Sequence, residues 1–245
     1  MSGKHGWHHD PSDRLRVTAG FSLANFDPGA TPGWRGNKAR AVAEMNRRGA
    51  DLEALQEQLF ARGKEGDRRS ALLVIQGIDT AGKDGIVSHV VGCVNPMGVK
   101  ITSFGVPTEQ ERKHAYLWRI RNALPGPGIL GVFDRSHYEQ VLVVRVHDLV
   151  PRETWERYYD QLNAFEAKAA AAGTTVVKIA LLVSPTEQLK RLEARLDDPG
   201  KYWKYTPKDL DERGYWNEYQ AAYQAIFDRC SPATAPWFAI PADRK

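Results

Sequence analysis

Apolar residues along this chain recur in two alternating rhythms. Residues 71–75 (ALLVI), 99–106 (VKITSFGV), 128–134 (GILGVFD), 174–183 (TTVVKIALLV) and 236–241 (PWFAIP) are short runs rich in branched and aromatic side chains. Runs of that length and composition suit buried strands. Between them, apolar residues return every three or four positions. Residues 39–62 carry Leu52, Leu55 and Leu59 at that spacing, and residues 108–124 carry Leu117, Ile120 and Leu124 before Pro125. Residues 152–172 stop at Gly173, residues 186–198 stop at Pro199-Gly200, and residues 208–229 form an aromatic-rich stretch. These five segments predict helices. Residues 141–146 (VLVVRV) are short and β-branched and read locally as a further strand. Strands that alternate with helices imply an α/β fold with a mainly parallel sheet covered on both faces. Residues 1–38 lack periodicity and predict an irregular arm, and residues 39–245 predict a single domain.

Composition narrows the class. With 245 residues, 42% of them hydrophobic and 26% charged, the chain can bury a sizeable core. Its 34 Lys and Arg against 30 Asp and Glu permit a polyanionic partner without demanding one. Two cysteines, Cys93 and Cys230, make no disulfide framework and point to a reducing compartment, the cytoplasm. No apolar run is long enough to span a bilayer, and the first ten residues lack a secretory pattern. His5, His8 and His9 are expected in a solvated tail rather than around a metal.

The chemistry begins at residues 72–90, LLVIQGIDTAGKDGIVSHV. Gly77, four residues, then Gly82-Lys83 follow an apolar strand and open a helical segment, the context that makes a phosphate-binding loop specific. Backbone N–H groups across Gly77, Thr80, Ala81, Gly82, Asp84 and Gly85 would line phosphate oxygens, helped by the helix N-terminus. Lys83 would add a mobile charge on the transferred group. Asp84 stands where such loops usually carry a hydroxyl, and Asp79 lies inside the loop. Carboxylates there favour Mg²⁺ between protein and phosphates. Asp134, at the end of the third apolar run, is a candidate metal ligand or base, because ligands bind beyond the carboxyl ends of parallel strands. The plainer alternative is an N-cap for the next helix. Arg135 beside it is a candidate charge stabiliser. On the 186–198 helix, Leu189, Leu192 and Leu196 mark an inner face and put Arg191 and Arg195 on the opposite one. Lys201 and Lys204 follow. These cations suit a lid, at about residues 190–212, over a phosphoryl-transfer site.

Taken together, the loop, VNPMGVKITSF, YLWRIRNALPGPGILGVFDRSHYEQVLVVRVHDLVP, GTTVVKIALLVSPTEQLKRLEARLDDPGKYWKY, DLDERGYWNEYQAAY and APWFAIPAD resemble, in that order, the polyphosphate kinase 2 family. The resemblance covers about residues 35–244. It implies a P-loop kinase-like three-layer sandwich with a helical lid. It also implies Mg²⁺-dependent phosphoryl transfer between inorganic polyphosphate and ADP, ATP or AMP, with Mn²⁺ and other nucleotides as substitutes. It places Asp79, Lys83, Asp134 and Arg135 at the centre of catalysis, with Asp79 and Asp134 as metal ligands, and puts Arg145 and Arg195 on phosphates. It turns residues 141–146 into a buried helix, against the local reading, and implies a dimer or tetramer. Gly105 departs from the lysine that relatives carry, so one phosphate contact is expected to be missing. Relatives also continue past the position of Lys245 into a further aromatic and helical segment. The segments around Arg145 and Lys201 look closer to members that accept monophosphates or both acceptors. Two other readings stay open: a nucleoside or nucleotide kinase that uses only ATP, and a non-catalytic polyanion binder. The modest net charge and the acidic loop argue against the non-catalytic binder, whether for nucleic acid or polyphosphate, since a pure binder needs no Mg²⁺ ligands.

Overall fold

The structure, a computed structural model, describes residues 6–244; His5 and Lys245 lie outside them. All five apolar runs form strands: β1 Ser70–Gly77, β2 Val99–Ser103, β3 Leu130–Asp134, β4 Thr174–Leu182 and β5 Trp237–Pro241. They make one sheet in the order β2-β3-β1-β4-β5, parallel at every pairing. Register sets Ile75 of β1 opposite Asp134 of β3 and Gly77 opposite Leu181 of β4. The carboxyl ends of the three central strands therefore finish on the same side of the sheet, within about three residues of one another.

The helices are α1 Pro11–Leu15, α2 Lys38–Lys64, α3 Lys83–His89, α4 Glu109–Arg112, α5 Leu117–Ala123, α6 Val143–Val146, α7 Arg152–Ala171, α8 Pro185–Leu196, α9 Lys208–Arg213 and α10 Trp216–Arg229. Strand residues alternate between two cores. Leu72, Val74, Phe133, Val176, Ala180 and Trp237 face one that also holds Leu117, Tyr159, Leu162 and Ile226 from the helices. Ile75, Val132 and Leu181 face the other, with Val91, Val94 and the partly buried Leu52 and Ile86. Period-two alternation with both faces covered gives the expected three layers.

Four expectations change. Residues 141–146 are not the strand of the local reading, because β3 already has a neighbour on each side; they lead into a helix, as the resemblance implied. Val141 and Leu142 are instead buried at the start of α6. The 108–124 segment is two helices. A capping box of Thr108 and Glu111 opens α4, and the chain then turns so that His114 stacks on Trp118 at 4.1 Å and Tyr116 meets Tyr158. The 208–229 segment breaks at Gly214-Tyr215, between α9 and α10. In α2 the leucine stripe is not the most buried face: Leu55 is exposed, whereas Glu44, Gly49 and Gln56 are buried.

The arm, expected to be irregular, carries the short helix α1 and is packed from Gly6 onward. Trp7 meets Trp34 edge-on at 5.2 Å, so the tail is folded back although His8 and His9 remain exposed. The Val17 amide donates to the Trp237 carbonyl and Arg16 forms a bridge to Phe238, which covers the outer edge of β5. Among the described residues no helix is long and apolar enough to cross a membrane.

Candidate active site

The phosphate loop connects β1 to α3. Gly77 has a local cause: a Cβ there would sit 3.0 Å from the Ala81 Cβ and 3.1 Å from the Leu181 carbonyl. Gly82 has a different one, a φ of 112° in open space, which only glycine adopts without strain. Thr80 also takes a positive φ, 66°, and strain of this kind collects at functional turns. Among the described residues the N–H groups of Gly82, Lys83 and Asp84 find no backbone acceptor, as expected where a helix begins and an anion is to be received. The Lys83 ammonium folds back to donate to the Gly77 carbonyl at 2.7 Å. Burial pulls its pKa below the ordinary lysine value, against the pull of the Asp79 carboxylate.

The loop after β3 supplies the other half. The Asp134 Oδ2 accepts from Ser103 at 3.2 Å, while its Oδ1 is buried and has no hydrogen-bond partner. Arg135, at φ 60°, turns its guanidinium toward β1, where Nη2 donates to Asp79 Oδ1 at 3.2 Å and Nη1 lies 3.8 Å from Glu139. Burial lowers the Arg135 pKa, but Glu139 and Asp79 outweigh it and hold the cation firmly charged. Asp79, Lys83, Asp134 and Arg135 therefore meet at the carboxyl ends of β1 and β3.

Among the described residues no group of three or more His, Cys, Asp or Glu is assembled as a metal cage. The site nonetheless fits a hard cation of the Mg²⁺ kind, which takes one or two carboxylates and completes its shell with phosphate and water. The partnerless Asp134 oxygen is the donor such an ion needs, and Asp79 is the neighbouring one.

The remaining predicted residues are placed differently from expectation. Arg191 does not face solvent. It lies on the buried side of α8 with Gln188 and Leu192, whereas Leu189 and Leu196 are exposed. Leu192 faces inward as expected, but Arg191 shares that side, held there by hydrogen bonds, while Leu189 and Leu196 lie outside it. Arg195 donates to the Lys204 carbonyl at 2.8 Å and to Asp209 at 3.2 Å, so it braces the segment after α8. Lys204 pairs with Asp84 at 2.9 Å, and Lys201 pairs with Asp198 at 2.7 Å. Arg145 is turned away onto α7, bonded to the Tyr159 hydroxyl at 2.7 Å and stacked on Trp155.

Residues that sequence reasoning missed complete the site. Glu139 accepts from Gln76 at 2.9 Å, and burial raises its pKa, opposed by Arg135. Gln188 donates to the Asp79 carbonyl at 3.2 Å and accepts from Arg213 of α9 at 2.7 Å. Gln76 was a usable signal, a lone amide inside an apolar strand. Gln188 carried none.

Comparison with known proteins decides the family. The pattern described as Polyphosphate kinase 2 (PPK2) matches residues 36–245. The chain belongs to the polyphosphate kinase 2 family. It is 45% identical to the AMP/ADP-polyphosphate phosphotransferase of Meiothermus ruber over 94% of this chain and 85% of that one. It is 41% identical to the ADP-polyphosphate phosphotransferase of Rhodopseudomonas palustris, over 79% and 70% of the two chains. Its structure superposes on the crystal structure of polyphosphate kinase 2 from Arthrobacter aurescens TC1 with a TM-score of 0.95, at 49% identity, covering 97% of this chain and 84% of that one. The family match begins at residue 36, so most of the arm lies before it.

Proposed function

We propose that the chain transfers a terminal phosphoryl group between inorganic polyphosphate and a nucleoside mono- or diphosphate, with Mg²⁺, or Mn²⁺ in its place. Family membership supports the reaction class. The observation that carries the residue assignment is the meeting of Asp79, Lys83, Asp134 and Arg135 at the ends of two adjacent parallel strands. In-line transfer needs positioning and charge stabilisation more than covalent chemistry from the protein. The N–H groups of Gly82, Lys83 and Asp84 bind the phosphoryl oxygens. Lys83 leaves the Gly77 carbonyl to follow the transferred group, and Arg135 balances charge on its equatorial oxygens. A divalent cation held by Asp134 and Asp79 would neutralise part of the phosphate charge. Residues 190–212 act as the lid, with Lys204 reaching Asp84 at the start of α3. Both substrates and the absence of disulfides suit the cytoplasm. The apolar side chains exposed along α2, Val42, Met45 and Leu55, suit a homo-oligomer.

The test is incubation with polyphosphate, Mg²⁺ and either AMP or ADP, followed by quantification of the nucleotides formed. Production of ADP or ATP at polyphosphate's expense is expected. Transfer from ATP that long-chain polyphosphate neither supports nor inhibits would identify a kinase of the ATP-only kind instead.

A further inference from the structure

We infer that Arg191 is a positioning residue for the phosphate loop, acting through the loop's carbonyls and not on a phosphate. This rests on the reading of that loop given above. An arginine side chain has five N–H donors in a fixed fork, and Arg191 has a protein acceptor for each. Nε donates to Glu187 at 2.9 Å; Nη1 donates to the carbonyls of Thr80 at 3.0 Å and Ala81 at 3.3 Å; Nη2 donates to those of Ala242 and Asp243. With only 8% of its surface exposed, it has neither a free donor nor an open side to offer a polyanion.

The grip has a direction. A trans peptide is planar, with its carbonyl and the following N–H on opposite sides. Holding the Ala81 carbonyl toward α8 therefore aims the Gly82 N–H the other way, into the open space beside the loop. Holding the Thr80 carbonyl fixes the next peptide upstream, whose Ala81 N–H closes a turn on the Ile78 carbonyl. Thr80 at φ 66° is the strained residue of the loop, and a conformation of that kind persists only where its surroundings over-determine it.

The clasp is also a junction. Asp243 accepts from the Ser184 amide at the start of α8 through its side chain, and its amide donates to Pro28 of the arm. Through Arg191, the base of α8, the exit of β5 and the phosphate loop are tied together, and the arm is joined to them at Asp243. A lysine at this position would keep the charge but could not span carbonyls from two distant segments.

Three measurements test this. In the 15N-labelled wild-type chain, the Arg191 Nε–H is expected to exchange slowly with water and to keep its chemical shift when tripolyphosphate is added. Fast exchange, or a shift on titration, would overturn the proposal. In Arg191→Lys, hydrogen exchange at residues 78–85 is expected to accelerate at least tenfold. Turnover should fall tenfold or more, with the Michaelis constant for polyphosphate and its salt dependence within about twofold of wild type. The opposite split, near-normal turnover and loop protection with a raised polyphosphate constant, would make Arg191 a phosphate ligand. The two measurements of exchange and chemical shift need no turnover. An inactive wild-type chain would therefore refute the proposed function without touching this inference.

Discussion

The Arg135 guanidinium and the Asp79 carboxylate pair across the two loops that follow β3 and β1, 3.2 Å apart. On the proposed assignment a cation would claim the same carboxylate and a phosphoryl group the same guanidinium, so each would hold the other in place until substrate separates them. Both are partly exposed, so the pair is weak enough to open. Arg135→Ala should lower turnover about a hundredfold, on the order of 3 kcal/mol of lost transition-state stabilisation. Asp79→Asn and Asp134→Asn should each raise the Mg²⁺ concentration needed for half-maximal rate, because an amide is a poorer ligand for a hard cation. Steady-state rates across a Mg²⁺ titration decide it. Titrations superimposable on wild type for both asparagine variants would mean that the metal lies elsewhere.

Lys83→Ala should leave the fold intact and reduce transfer a hundred- to thousandfold, about 3–4 kcal/mol. The loop's shape comes from its glycines and its carbonyl contacts, so circular dichroism and the unfolding midpoint should not move. A folded variant within a few-fold of wild-type activity would remove Lys83 from the chemistry.

The Lys83 ammonium also sets a pH dependence. Burial lowers its pKa, so the charged form is lost as pH rises through that lowered value, before an ordinary lysine would deprotonate. Bound polyanion raises the pKa again by favouring the charged form. The alkaline limb of kcat/KM, which reports the free enzyme, should therefore fall at lower pH than the limb of kcat, which reports the complex. Coincident limbs would show that Lys83 does not govern either.

Beneath the site, Glu166, Lys178, His137 and Tyr138 form a buried polar cluster. Lys178 donates to Glu166 at 2.6 Å and to the Tyr138 hydroxyl at 2.8 Å, and His137 bonds Glu166 at 3.0 Å. Burial lowers the Lys178 pKa, and the Glu166 carboxylate beside it opposes that loss. Glu166→Ala strands the lysine without its partner and should cost about 3–5 kcal/mol in urea unfolding. The double change Glu166→Leu with Lys178→Met should recover part of that loss. A single variant within 1 kcal/mol of wild type would mean that the cluster adapts.

What was legible in the sequence and what was not divides by the range of the interactions. β1 and β4 are near-continuous apolar runs because both their faces are buried, and a run is visible locally. The phosphate loop is legible because glycine at Gly77 and Gly82 answers local demands, a close contact and a positive φ. The inward turn of Arg191 depends on carbonyls more than a hundred residues upstream and about fifty downstream, which no periodicity within α8 encodes. Leu189 and Leu196 made the more visible pattern and pointed the wrong way. Residues 141–146 misled for a related reason: their β-branched composition is local, but the lack of a vacant ladder beside β3 is a property of the whole sheet.

Lys204 should matter for polyphosphate more than for the nucleotide. It bridges from the segment after α8 to Asp84 of the phosphate loop at 2.9 Å, and the Arg195 guanidinium fastens its carbonyl from behind. Asp84 is largely exposed, and the hydrogen bond from Lys204 holds its carboxyl below the usual aspartate range. An exposed pair of this kind is worth at most about 1 kcal/mol, so a chain carrying a charge on every phosphate can draw Lys204 away from Asp84. Lys201, three residues earlier, then extends the same track. A compact nucleotide presents too few charges to engage both. Lys204→Ala should raise the Michaelis constant for polyphosphate about three- to tenfold at low ionic strength and leave that for the nucleotide within twofold. The difference from wild type should shrink as salt rises, because screening weakens exposed charge contacts. Arg195→Ala should produce the same polyphosphate defect with a larger loss of turnover, since it also unfastens the segment that carries Lys204. If both variants impaired nucleotide saturation alone, with the salt dependence of polyphosphate untouched, this segment would serve the nucleotide. The polyphosphate track would then lie on the β3 side, toward Arg145.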